Sequence, residues 1–167
     1  MKEVCDLHDV HLILDEIYCG LGRSGRVYCC DWDNVVPDFI CIGKNLSADF
    51  VPLSAVITTS RFEKIVAEGQ GRIQHGHTHQ GHSLGAAAAL ALQKFVQTGE
   101  MLAHISRTGE YMRDTLQSEL GGHPFFHDIR GRGLLFSLEY KCQNNPAFGL
   151  ALANVMECEH DILINAK

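Results

Sequence analysis

The sequence lacks any long run of basic residues and any apolar segment long enough to cross a membrane. Its 14 Lys and Arg are outnumbered by 20 Asp and Glu, which gives a net charge of -6. Surfaces that bind nucleic acid or anionic membranes need clustered positive charge, so neither partner is expected. With 167 residues and a mean hydropathy of -0.03, the chain is predicted to be soluble and globular, with about one domain.

Cysteine pairs of the Cys-x-x-Cys type are also missing. Zinc sites and thioredoxin-like redox motifs need that spacing, so neither is expected from the cysteines. The seven cysteines are an odd number and stand in apolar runs such as Phe39-Ile40-Cys41-Ile42. This pattern is typical of reduced core thiols in an intracellular protein.

Residues 20–25, Gly-Leu-Gly-Arg-Ser-Gly, fit the G-x-G-x-x-G pattern of a dinucleotide-binding turn. That turn needs a strand before the glycines and a helix directly after them, because the helix N-terminus holds the pyrophosphate. Residues 26–37 contain poor helix formers and end in a proline, so the helix is not expected. Asp15 and Glu16 would also repel an anionic ligand. The pattern alone is therefore weak evidence, and Asp15 needs another explanation.

The hydrophobic pattern predicts strands that alternate with helices. Leu12–Leu14 is predicted to be a strand buried on both faces that ends at Asp15. A second buried strand precedes Lys44, and a third follows Pro52. The remaining predicted elements are helices over 61–68, 83–97, 100–120 and 147–158 and a turn with a strand over 127–140. A domain boundary is predicted near residue 98.

Asp15 and Lys44 stand at the carboxyl ends of two predicted parallel strands, 29 residues apart. Ligands of open α/β sheets bind outside these strand ends. An acid and an amine in apolar surroundings need partners, and a pyridine aldehyde cofactor supplies both. The lysine forms a Schiff base with the aldehyde, and the carboxylate keeps the pyridine nitrogen protonated. An ordinary salt bridge, or two strand ends that point into water, is the alternative interpretation.

Four segments together resemble one enzyme family in their order and spacing. They are LILDEIYCGLGRSG, VVPDFICIGKNLS, VPLSAVI and HGHTHQGHSLGAAAALAL, and a fifth, DIRGRGLLFSLE, fits the same pattern. Over about residues 3–140 the chain resembles the carboxyl-terminal part of class III aminotransferases, the pyridoxal-phosphate enzymes of the ω-amino acid and ornithine aminotransferase group. The resemblance implies an α/β fold of fold type I. Residues 1–97 would be the later part of the cofactor-binding large domain, with a mostly parallel sheet and helices, and residues 98–167 a connecting helix and the start of the small α+β domain.

The resemblance also implies the roles of individual residues. Lys44 matches the family's Schiff-base lysine, Asp15 the strand-end acid, and Ile17 the apolar residue against the cofactor ring. Thr78 matches the threonine that reaches a cofactor phosphate across a dimer interface. The implied function is amino transfer from an amine or amino acid to a keto acid or aldehyde, with pyridoxal 5'-phosphate as cofactor, in a homodimer.

Two positions depart from the family pattern. Asp49 stands where glycine is common in the turn after the lysine, so a positive φ there would be strained. Ser83 replaces the usual proline after Gly81-His82.

Several of the family's parts have no counterpart in the sequence. These are the phosphate-binding loop, the aromatic on the outer ring face, the amino-terminal segment and the late substrate-binding arginine. We therefore expect a partial chain with little activity by itself. A truncated, inactive aminotransferase-like protein that acts as an interaction partner is the alternative function. A cytoplasmic location is expected, with a mitochondrial one left open because the family's amino-terminal segment is missing.

Other polar residues are interpreted structurally. Four histidines crowd one loop, but no cysteine or carboxylate lies at a useful spacing among them, so a metal site is not expected. They are His75, His77, His79 and His82. Arg23 and Arg132 are predicted to be structural ion-pair partners. Glu16 is predicted to point away from Asp15 and to serve either as a turn residue or as a residue that supports the site from behind.

Overall fold

The computed structural model describes residues 1–141 and 147–165, which form two compact units. The first comprises Met1–Met112 and Gly131–Phe136, and the second comprises Arg113–Arg130 with the described residues from Ser137 onward. The elements in chain order are α1 (Lys2–Leu7), β1 (Ile13–Asp15), β2 (Phe39–Ile42), β3 (Ala55–Thr58), α2 (Ser60–Glu68), α3 (Ser83–Val96), α4 (Gly99–Leu120), β4 (Phe126–Arg132), β5 (Leu135–Tyr140) and α5 (Phe148–His160). The division between the units falls within α4, after Met112. The domain boundary near residue 98 therefore stays a prediction.

The first three strands form one sheet in the order β1-β2-β3. Strands β1 and β2 are parallel, as predicted, and their register pairs Leu14 with Ile40 and Asp15 with Cys41. Strand β3 is antiparallel to β2. The sheet of the described chain is therefore mixed, with one parallel and one antiparallel pair.

The core of the first unit lies on one side of this sheet. Its buried residues are Leu21, Cys30, Ile40 and Ile42. The prediction that β1 is buried on both faces is wrong for this chain, because Ile13 is 61% exposed. Strand β1 lies at an edge of the sheet, and both β1 and β3 carry apolar side chains that the described residues leave exposed. An apolar sequence predicts the strand, but its burial depends on neighbours that the strand itself does not specify.

The glycine-rich turn packs closely against helix α4. Gly25 has φ 85° and lies directly against Ser106 of α4, where a β-carbon would collide with the serine hydroxyl. Gly109 of α4 lies equally close to the backbone of Gly133. The segment after the glycines forms a short 3-10 helix, Cys29–Asp33, rather than an α-helix. The glycines therefore allow close approach of loop and helix, and the dinucleotide interpretation fails as expected.

The second unit contains an aromatic cluster and the larger parts of strands β4 and β5. Strands β4 and β5 pair, where the sequence predicted one strand after a turn. The ring centroids of Tyr140 and Phe148 lie 5.3 Å apart, and Arg130 pairs with Glu139 at 2.7 Å. Among residues 1–141 and 147–165, no helix has the length and apolar character of a membrane span.

Asp38 makes hydrogen bonds that connect the segments at the start of β1 and β2. One carboxylate oxygen accepts hydrogen bonds from the Leu12 amide at 2.9 Å and from the Lys2 ammonium at 3.0 Å. Its backbone carbonyl accepts the Thr58 hydroxyl at 3.0 Å, and its amide donates to the Leu12 carbonyl at 3.0 Å. Asp38 thus joins α1, β1 and the end of β3 to β2, and it fixes the register that places Asp15 beside Cys41.

This fastening predicts a loss of stability in acid. The Leu12 hydrogen bond and the Lys2 ammonium hold the pKa of the Asp38 carboxyl below its ordinary value of 3.8. A carboxyl whose pKa is lower in the folded state stabilises the fold above the unfolded pKa, and this stabilisation is lost as the pH falls through the folded pKa. We expect the urea midpoint to decline below about pH 4 and Asp38→Asn to flatten that decline. Asp9→Asn, at an exposed ion pair with Arg61, serves as the control and should leave it unchanged; an equally steep decline in Asp38→Asn would refute the assignment.

Candidate active site

Asp15 is the last residue of β1, and its carboxylate is exposed at the carboxyl end of the strand. Its Oδ1 accepts the backbone N–H of Ile17 at 3.0 Å. This local hydrogen bond turns the chain directly after the strand. Within the described residues, the other carboxylate oxygen makes no hydrogen bond and is available to a ligand.

Lys44 lies two residues beyond β2, which is the parallel neighbour of β1. Its side chain is exposed, and its Nζ lies 5.7 Å from the centre of the Tyr18 ring, in cation–π contact. No ion pair joins Lys44 to Asp15 or to another carboxylate in the described chain. The ordinary salt bridge, one of the alternatives for these residues, is therefore absent. Sequence analysis missed Tyr18, whose only signal was an aromatic residue three positions after the strand-end acid.

Ile17 lies between the two strand ends. It is half-buried, and its Cγ2 would lie 3.4 Å from a β-carbon placed on Gly43, the residue before Lys44. Ile17 therefore packs near the end of β2, at a distance that would also accommodate a β-carbon at position 43. Asp15, Ile17, Tyr18 and Lys44 form the part of the candidate site that the structure brings together.

Thr78 lies in the exposed loop between α2 and α3. Its hydroxyl makes no hydrogen bond within residues 1–141 and 147–165, and no contact links it to Asp15, Ile17 or Lys44. The loop is shaped by neighbours: the Gln80 amide donates to the His77 carbonyl at 3.1 Å, and the His79 amide donates to the His77 ring at 3.2 Å. The role of Thr78 stays a prediction.

Two of the four loop histidines shape the backbone through their rings. The Nδ1 atom of His82 accepts the Gly85 amide at 3.1 Å and caps the first turn of α3. The His77 ring accepts the His79 amide. Within the part of the chain that the structure describes, no three metal-ligating side chains converge.

Glu16 is a buried turn residue, as predicted. It is only 3% exposed, and its two carboxylate oxygens accept the backbone amides of Cys29 at 2.6 Å and Cys30 at 2.8 Å. Its carbonyl accepts the Gly20 amide at 2.9 Å. Glu16 therefore holds the loop after β1 closed, and it acts on the fold rather than on a ligand.

The cysteines beside Glu16 are held as neutral thiols. Burial, followed by a hydrogen bond to Glu16, raises the pKa of Cys30 to about 12. Burial and the Glu16 charge likewise raise the pKa of Cys19 to about 11. Because the thiolate is the reactive form, neither cysteine is suited to act as a nucleophile near neutral pH.

The two turn arginines differ. Arg132 pairs with Asp33 at 3.4 Å and stacks over Trp32, with 5.4 Å between its guanidinium carbon and the ring centre, which confirms its structural role. The prediction is wrong for Arg23, whose side chain is exposed and has no ion pair in the described residues. Its backbone carbonyl, which accepts the Leu134 amide at 3.0 Å, makes the contact instead.

The segment after Lys44 is strained. Lys44, Ala48 and Asp49 have φ values of 39°, 47° and 62°, in the left-handed region that favours glycine. The strain predicted at Asp49 is confirmed. Ala48 adds a second strained position that sequence analysis did not identify.

Glycine at position 48 should stabilise the protein. At a positive φ the β-carbon of alanine clashes with the backbone, and this costs more than the extra chain entropy of glycine. We expect Ala48→Gly to raise the free energy of unfolding by about 1 kcal/mol. Ala87→Gly, at an exposed position inside α3, should lower it by about 1 kcal/mol. Urea denaturation measures both, and a loss of stability in both variants would contradict the assigned conformation.

The chain matches one family model, described as aminotransferase class-III, over residues 1–159. An aminotransferase of Gibberella zeae is 39% identical to it over 140 residues, which cover 84% of this chain and 27% of that protein. The mitochondrial ornithine aminotransferase of Oryza sativa subsp. japonica is 34% identical over 168 residues, which cover 100% of this chain and 33% of that protein. The chain thus spans about a third of the length of these curated relatives.

The fold is similar to that of solved structures from the same family. One is the ornithine aminotransferase of Toxoplasma gondii, which holds pyridoxal phosphate at partial occupancy in its active site. It matches with a TM-score of 0.77 and 35% identity, over 91% of this chain and 35% of that one.

Proposed function

The chain belongs to the class III aminotransferases, and from this premise we propose that the native protein transfers an amino group from an amine or amino acid to a keto acid or aldehyde. Class III aminotransferases depend on pyridoxal phosphate. We propose that this chain contributes Lys44 as the residue to which the cofactor is attached. The observation that carries the proposal is the position of Asp15 and Lys44 at the carboxyl ends of adjacent parallel strands.

The side chains at these strand ends have the chemistry that the cofactor requires. Lys44 offers an exposed amine that is free of ion pairs within the described residues, and Asp15 offers a carboxylate oxygen without a hydrogen bond. Ile17 supplies an apolar surface between them. An amine for the aldehyde, a carboxylate for the ring nitrogen and an apolar side chain for the ring face are the three groups expected.

Each residue then has a defined task. Pyridoxal phosphate, when bound, supplies an aldehyde carbon and a ring that withdraws electrons from the substrate carbon. The Lys44 amine would hold the cofactor and, as general base and acid, would take the proton from the substrate carbon and deliver it to the cofactor carbon. Asp15 favours the protonated ring nitrogen through its negative charge. Tyr18, whose ring lies 5.7 Å from the Lys44 Nζ, would help to orient the lysine side chain.

We further propose that Thr78 acts across a homodimer. Its hydroxyl is exposed and unbonded within the described residues, at a distance along the chain from the strand-end groups. A hydroxyl donates well to a phosphate oxygen, so Thr78 would bind the cofactor phosphate of the partner subunit. This role requires the native protein to be a dimer in solution.

Amino transfer by the native protein tests the proposal. The purified protein is supplied with pyridoxal phosphate, a panel of ω-amines and amino acids, and pyruvate or an aldehyde as acceptor. We expect formation of the aminated acceptor with at least one donor. Cofactor binding without transfer from any donor class would favour the inactive aminotransferase-like alternative.

A further inference from the structure

The short turn that carries Lys44 needs outside support. The turn comprises Lys44–Leu46, and its first residue has the unfavourable φ of 39°. Such a conformation persists only where the surroundings hold it in place. The Lys44 carbonyl accepts the amides of Ser47 at 3.3 Å and Ala48 at 3.0 Å. The next two carbonyls, those of Asn45 and Leu46, need donors from elsewhere.

Gln93 of α3 supplies the donor for both carbonyls. Its Nε2 donates to the Asn45 carbonyl at 2.8 Å and to the Leu46 carbonyl at 3.2 Å. Its Oε1 accepts the side-chain amide of Gln97 at 3.2 Å, which keeps the nitrogen directed at the turn. Asn45 in turn donates to the Gly20 carbonyl at 3.3 Å, in the loop that follows Tyr18. The turn is therefore held between helix α3 and the loop that follows β1.

We propose that Gln93 is a positioning residue for Lys44. It does not touch the amine, and it acts by fixing the backbone from which the Lys44 side chain extends. Without it, two carbonyls lose their donor and the strained turn can relax, which moves the amine relative to Asp15. The inference rests on the proposed role of Lys44 and names the element that keeps this lysine in place.

Two measurements on matched variants test this inference. The first is hydrogen exchange at the amides of Ser47 and Ala48, which report whether the turn is closed. The second is the rate at which pyridoxal phosphate and borohydride label Lys44, compared with Lys64 in the same molecule. The variants are Gln93→Leu, which removes the donor, Gln93→Arg, which keeps donors on a long side chain, and Lys94→Ala, which alters an exposed neighbour on the same helix.

In Gln93→Leu we expect exchange at both amides to rise by about tenfold and Lys44 labelling to slow by about tenfold. Gln93→Arg should restore most of both values, and Lys94→Ala should stay near wild type. Gln93→Ala, which favours the helix, repeats the test if Gln93→Leu does not fold.

Unchanged exchange in Gln93→Leu would overturn the inference. Faster exchange with unchanged Lys44 labelling would also overturn it, because Gln93 would then support only the fold. A wild-type protein that labels Lys44 no faster than Lys64 would refute the proposed function instead.

Discussion

Replacing Lys44 by alanine should abolish amino transfer in the native protein. In the proposed mechanism the amine holds the cofactor and moves the proton at the substrate carbon, and alanine can do neither. General acid–base catalysis alone contributes up to about ten-thousand-fold, so we expect kcat to fall by about that factor or more. The measurement is kcat with saturating donor, acceptor and pyridoxal phosphate.

Lys64→Ala and Lys94→Ala are the matched controls for this loss. Both lysines are exposed on helices, α2 and α3, and neither stands at a strand end. Their replacement should change kcat by less than about twofold, as expected for surface positions. Activity of Lys44→Ala within about tenfold of wild type would remove the lysine from the mechanism.

Asp15→Asn should lower kcat by about a hundredfold to a thousandfold, the cost of losing one aligned electrostatic group. Asparagine keeps the shape of the side chain and the oxygen that accepts the Ile17 amide. The turn after β1 is therefore retained, and we expect the stability to change by less than about 0.5 kcal/mol. Only the negative charge of the side chain is lost, which in the proposed mechanism acts on the ring nitrogen. Parallel measurement of kcat and of the urea midpoint separates the chemical effect from a structural one.

Glu16→Gln, at the next position in the chain, should lower stability and leave kcat unchanged. Glu16 accepts two backbone amides while buried, so its replacement leaves a buried pair of donors poorly matched. We expect a loss of about 2 kcal/mol in stability, with kcat per folded molecule unchanged. If Asp15→Asn and Glu16→Gln instead lost stability to the same extent, Asp15 would be a structural residue as well.

Local patterns predicted much of this molecule. The apolar runs before Asp15 and Lys44 predicted two adjacent parallel strands, and the structure pairs them in register. The alanine-rich segment predicted α3, because alanine favours helix wherever it lies. The position of Glu16 next to Asp15, on the other side of the chain, predicted its turn role. The helix and the turn role each depend on residues close together in the sequence, whereas the pairing of β1 with β2 joins residues 26 positions apart.

Features that depend on distant contacts escaped prediction. The exposure of Ile13 depends on what packs against β1, and its sequence resembles that of a fully buried strand. The contact between Tyr18 and Lys44 joins two strand ends. The hydrogen bonds from Gln93 reach the carbonyls of Asn45 and Leu46, which precede it in the sequence by 48 and 47 positions. Arg23 makes its contact through the backbone, which no side-chain pattern reveals.

The most direct test of the central claim is to locate the lysine that pyridoxal phosphate modifies. The native protein is incubated with the cofactor, reduced with borohydride, digested and mapped by mass spectrometry. The account predicts one modified peptide, which contains Lys44. Modification spread equally over Lys64, Lys94 and Lys141, with no preference for Lys44, would contradict it.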